Sequence, residues 1–148
     1  MILLGKEITT KDVPGRWAVC FLEGCPRCEQ CLRHAVVPLM AEHTRGQSVY
    51  PAALSVKGGC PHFTPIRVNR YAWGMSSLFT NVLMRDAPII RKEIVSILGS
   101  RATYYRYNKG IQKISPYQQR QILAIFARRG YTEGLTFEHY IEVIDFNA

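Results

Sequence analysis

Apolar positions recur three and four residues apart through much of the second half of the chain. Met75, Leu78, Phe79 and Val82 share one helical face, which predicts a helix over Tyr71 to Leu83. Asp86 suits a helix cap and Pro88 a first turn; Ile90, Ile94, Ile97 and Leu98 form the stripe behind them, and Gly99 stands where a left-handed residue ends a helix. The clearest element is a helix from Pro116 to Arg129. Ser115 caps it, Gln118 completes a Ser-x-x-Gln capping box, Ile122, Ile125 and Phe126 form its buried side, and Gly130 closes it. Leu135 to Phe146 reads as a short last helix or an irregular packed segment.

The first half is richer in Pro, Gly and Cys and shows little periodicity. Trp17 to Leu22 is a continuous apolar run that fits either a buried strand or a short helix. Pro26 opens a helix predicted to reach Val37, with Pro38 as its stop. The expected fold is therefore mainly α: a small helical bundle whose irregular Cys-rich part covers residues 1–66 and whose helical part covers residues 67–148. With 148 residues, 47% of them hydrophobic, the chain has material for one ordinary core, so the two parts are expected to form one compact unit.

Charge changes this picture by being regional. The net charge is +8, yet between Ser100 and Gly130 stand Arg101, Arg106, Lys109, Lys113, Arg120, Arg128 and Arg129 with no Asp or Glu, and Tyr104, Tyr105 and Tyr107 lie among them. Cations segregated in this way attract a polyanion, and interleaved tyrosines offer stacking and hydrogen-bonding surface. Glu133, Glu138, Glu142 and Asp145 follow, so part of the field can be neutralised within the chain. Arg101 to Gly110 fits a small hairpin turning at Asn108-Lys109-Gly110, or a helix with Ala102 and Tyr105 inward and Arg101, Tyr104 and Asn108 outward.

The helix is favoured by the pattern around it. Gly99, Arg106-Tyr107-Asn108-Lys109-Gly110, Ile111 to Ser115 and the helix carrying Ile122 and Phe126 together resemble the helix-turn-helix of phage-repressor-type DNA-binding proteins. Thr103 follows Gly99 by four residues, one fewer than in that family's Gly-x-Ser-x-x-Thr spacing. The resemblance implies that Arg101, Ala102, Thr103, Tyr104 and Arg106 lie at a surface entering a major groove, with Lys109, Lys113 and the Ser115 helix start on phosphates. Such three-helix arrangements also serve protein contacts, so an acidic protein partner is the alternative to duplex DNA.

Five cysteines supply the other candidate chemistry. Cys20, Cys25, Cys28 and Cys31 lie within twelve residues, and Cys60 follows with His62 just beyond it. Gly24, Pro26 and Gly58-Gly59 give turns that let thiolates converge, which suits a structural zinc ion. Cys25-x2-Cys28-x2-Cys31 with a remote Cys60-Pro61 also matches part of an iron–sulfur ligand set, and buried free thiols are the third reading. His34, His43, His62 and His139 are scattered, no carboxylate pair stands ready for acid–base work, and there is no phosphate-binding glycine loop, so no enzyme activity is expected. Trp17, Trp73 and Phe63 read as core residues.

The N-terminal apolar run is too short for a signal peptide, and no window approaches the ~18 apolar residues of a membrane helix, which predicts a cytoplasmic protein. Cys25-Pro26, Cys31-Leu32-Arg33, Cys60-Pro61-His62-Phe63, Tyr104 to Tyr107, Gly130-Tyr131-Thr132 and Asp145-Phe146 together resemble a bacterial family of small cysteine-cluster proteins of unassigned function. The resulting expectation is a nucleic-acid-binding protein with a zinc site; a protein-interaction module and an iron–sulfur or redox protein are the alternatives.

Overall fold

The computed structural model describes residues 1–147. In chain order its elements are β1 (Ile2–Leu3), β2 (Lys6–Glu7), α1 (Leu32–Ala35), β3 (Val68–Trp73), α2 (Ala87–Leu98), α3 (Arg101–Lys109), α4 (Pro116–Arg128) and β4 (His139–Ile144), with four short 3-10 turns between them. β1 pairs antiparallel with β2, Ile2 opposite Glu7, and β3 pairs with β4. Helix makes up 37% of the chain and strand 14%, which corrects the expected mainly α bundle to a mixed α/β fold.

Three sequence-predicted elements account for the difference. The stretch from Tyr71 is not a helix: its first residues belong to β3, Gly74 (φ 81°) breaks the strand, and the Leu78–Phe79 spacing forms only a 3-10 turn, Ser76–Phe79. β-branched and aromatic neighbours favour the strand, and Ala72 exchanges both backbone hydrogen bonds with Ile114 (3.0 and 2.7 Å), a long-range pairing that helical periodicity cannot reveal. The end of the chain, expected as a helix or irregular, supplies β4. The helix expected from Pro26 to Val37 is broken by an extended Cys31 (φ −100°, ψ 122°), whose neighbour Leu32 donates its N–H to the Thr64 carbonyl at 2.7 Å. Only the single turn α1 and flanking 3-10 turns remain, and Pro38 sits inside the second of these.

The chain divides into two compact units. Unit 1 is Met1–Val68 together with the segment from Ile144. Its core holds five buried residues, Ile8, Val19, Leu32, Val36 and Ile144, edged by Trp17 and Phe146 in an edge-to-face contact at 5.0 Å. Asp145, buried, accepts from Arg67 Nε at 2.9 Å, so this acid of the C-terminal group serves unit 1 and not the basic block.

Unit 2, Asn69–Val143, has the larger core: Ala72, Met75, Leu78, Ile90, Ile94, Leu98, Tyr104, Ile114, Ile122, Ile125, Phe126 and Phe137. α2 and α4 carry the expected buried stripes, and the Ser115–Gln118 capping box is present in both directions. Asp86 precedes α2 without capping it through its side chain; its carboxylate instead accepts from the Tyr131 hydroxyl at 2.5 Å. Gly99 (φ 109°) ends α2 and Gly110 (φ 83°) ends α3, both in backbone that L side chains avoid.

Candidate functional site

α3 is a helix because Ser100 accepts from the Thr103 N–H at 3.1 Å and Gly110 terminates it in the left-handed conformation. Its orientation is the reverse of the expected one: Tyr104 is buried, whereas Ala102 and Tyr105 face solvent. The reason is the core: Tyr104 belongs to the buried cluster that also holds Ile94, Leu98 and Ile122, and Tyr107, one turn further on the same side of the helix, packs against it, which leaves Tyr105 outward. Burial raises the Tyr104 hydroxyl above its usual pKa of 10.0, partly offset by the guanidinium of Arg91 beside it.

The outward face of α3 carries Arg101, Ala102, Tyr105, Arg106 and Lys109, all exposed and contiguous on the helix surface. Among the described residues, none of these three cations has a carboxylate partner. Three other cations of the basic block, Lys113, Arg128 and Arg129, are engaged, while Arg120 of α4 is exposed. Arg129 and Arg128 reach Glu93 at 2.8 and 3.4 Å and hold its carboxyl below the ordinary range, first through the Arg129 hydrogen bond. Lys113 lies over the Trp73 ring at 4.0 Å and donates to the Gly110 carbonyl. Of the sequence-predicted nucleic-acid residues, therefore, Arg101, Arg106 and Lys109 are available to a ligand. Thr103 is tied to the Ser100 cap, Tyr104 is core, Lys113 is folded onto Trp73, and Ser115 is occupied by Gln118.

A cleft of about 760 Å³ opens beside this face, walled by α2, α3 and the 3-10 turn before α2. Arg91 and Lys92 from α2 and Arg101 from α3 supply its cations, Phe79, Tyr104 and Tyr105 its rings, and none of its lining residues is acidic. Arg91 sits 5.0 Å over the Phe79 ring. Sequence reasoning missed Arg91, Lys92 and Phe79. The signal was available in the helical spacing of Pro88, Arg91, Lys92 and Val95, which sets both cations on one face of α2 away from its Ile90–Ile94–Leu98 stripe.

In unit 1, all five cysteines border one small cavity of about 20 Å³, with His34 and His62 also at its wall. This volume admits one water-sized occupant. The five thiols are unpaired; Cys31 is buried and the other four are partly buried. Arg33 holds two of the segments that form the wall, donating to the Ala18 and His62 carbonyls at 2.7 and 2.8 Å, and the His62 N–H reaches Cys60 Sγ at 3.4 Å. Desolvation raises the Cys20 thiol above its usual value, and the nearby Cys31, Cys25 and Cys60 add to the rise. Among the described residues, no three His, Cys, Asp or Glu side chains form a ready-made metal-binding group.

A family model matches residues 4–146, nearly the whole chain, and its description is a family of unknown function, DUF6078. The chain belongs to the DUF6078 family. This agrees with the full-length resemblance to small proteins of unassigned function; the family description names no helix-turn-helix and no ligand. No curated protein and no solved structure matches the chain. Function in this DUF6078 member must therefore be argued from its own side chains. Among the described residues, no helix is long and apolar enough to cross a membrane.

Proposed function

We propose that this DUF6078 protein is a cytoplasmic nucleic-acid-binding protein acting through unit 2. The observation that carries the reading is the outward face of α3, where Arg101, Arg106 and Lys109 stand exposed without a carboxylate partner among the described residues while Glu93 is already held by Arg128 and Arg129. Unneutralised cations on a rigid element are what phosphate recognition uses, because the gain comes from releasing counterions from the polyanion. Tyr104, which the phage-repressor resemblance sends to a groove, is buried, so the reading rests on the exposed cations and not on that resemblance. Fluorescence anisotropy with labelled nucleic acid at low salt tests the proposal. Binding that weakens in Arg101→Ala and Arg106→Ala supports it, and absence of binding at low salt refutes it.

A second reading concerns unit 1 and is favoured by the meeting of Cys20, the Cys25–Cys31 segment and Cys60 at one cavity wall. We propose that these thiols take a structural zinc ion. Four thiolates satisfy zinc, the Cys60 sulfur already receives an N–H donor of the kind that supports a bound thiolate, and the small buried cluster of unit 1 stands to gain from a staple. The thiols must give up their protons and turn inward to bind it, so uptake releases acid. Metal analysis of protein purified without a metal resin is expected to find one zinc per chain; a brown iron–sulfur chromophore or metal-free folded protein overturns this.

A further inference from the structure

The cleft beside α3 is a different surface from a groove-reading helix. A duplex is read by a convex helix entering a groove about 12 Å wide. Here Arg101 and Tyr105 form one wall of a concavity whose opposite wall is Arg91 and Lys92 of α2. Its volume of about 760 Å³ falls within the ~300–1,000 Å³ of small-ligand sites. Cations and rings both line it, and the acid of α2, Glu93, is not in the lining and is engaged by Arg128 and Arg129.

We propose that this cleft seats one unpaired nucleotide of a single strand, with the base against Tyr105 and the phosphate among Arg91, Lys92 and Arg101. The inference rests on the nucleic-acid reading above and specifies its ligand. Tyr105 is 55% exposed, with its ring held edge-on to the buried Tyr104 at 6.0 Å, so it is both available and positioned. A flat aromatic surface takes the π-face of any base, which a paired base keeps inside its stack. Asn108 adds a polar edge. Its Oδ1 accepts from the Met75 N–H at 2.7 Å, which assigns the amide orientation and leaves the nitrogen of this cleft-lining side chain as a donor to a base acceptor.

Three probes of equal length, about 12 nucleotides, separate the possibilities by anisotropy: a single strand, the corresponding duplex, and an abasic strand with the same phosphates. The single strand is expected to bind tightest, with the abasic strand weaker by roughly tenfold. Tyr105→Leu, a change at an exposed position, is expected to erase that difference without altering abasic binding, and Arg101→Gln to weaken binding to all three. Duplex binding as tight as single-strand binding, or a single-strand advantage that survives Tyr105→Leu, overturns the proposal while leaving a phosphate-binding protein. Failure of all three probes to bind overturns the nucleic-acid reading itself.

Discussion

Gly110 shows how closely single residues are specified in unit 2. It ends α3 at φ 83°, and a Cβ there would stand 2.6 Å from Trp73 Cδ1, so neither the backbone nor the space admits a side chain. Gly110→Ala is expected to destabilise the protein by about 2–4 kcal/mol, summing left-handed strain and overpacking, and to lower the thermal midpoint. Tyr104 makes a testable statement about pH. Its folded pKa is raised above the unfolded value near 10.0, so its contribution to stability is complete below that value and is lost as pH rises through the higher folded value. Denaturant melts across this alkaline range should show a decline that Tyr104→Phe reduces; an unchanged decline in the variant would place its origin elsewhere. Tyr104 also marks a limit of sequence reading. Helical spacing sets Tyr105 inward and Tyr104 outward, and the core formed by distant residues reverses the two.

At the scale of elements, local signals hold for α2, α3 and α4 and fail at Tyr71 to Leu83 and Pro26 to Val37, where long-range pairing overrides them. α4 was legible because its signals are close in sequence: Ser115 and Gln118 cap each other and Ile122, Ile125 and Phe126 lie on one face. Ser115→Ala is expected to cost about 1 kcal/mol by removing the side-chain acceptor for the Gln118 N–H, read as a shift in denaturation midpoint. β3 was not legible, because its pairing with β4 and the Ala72–Ile114 bridge join residues far apart in the chain. The same reason explains the cysteines. Their density suggested a shared purpose, but only the fold brings Cys60 to the cavity bordered by the other four. Among the candidate nucleic-acid residues, charge patterning pointed to Arg101, Arg106 and Lys109 correctly as exposed. It could not show that Lys113 is committed to Trp73 and Ser115 to its cap.

For the molecule as a whole, the net charge of +8 overstates the field of some of its parts and understates that of one. Arg67 is spent on Asp145, and Arg128 and Arg129 on Glu93, whereas the α3 face keeps its cations exposed beside a cleft without acids. If that face is the nucleic-acid surface, its cations must appear in the salt dependence of binding, and each lost phosphate contact must lower the slope. The most direct measurement is the dissociation constant for a single strand across a range of salt, compared between the native protein and an Arg101→Gln/Arg106→Gln/Lys109→Gln variant shown by circular dichroism to be folded. A steep log–log dependence is expected in the native protein, with a slope reduced by about 2 in the variant, from roughly 0.7 for each of three contacts. Equal slopes in the two proteins would contradict it.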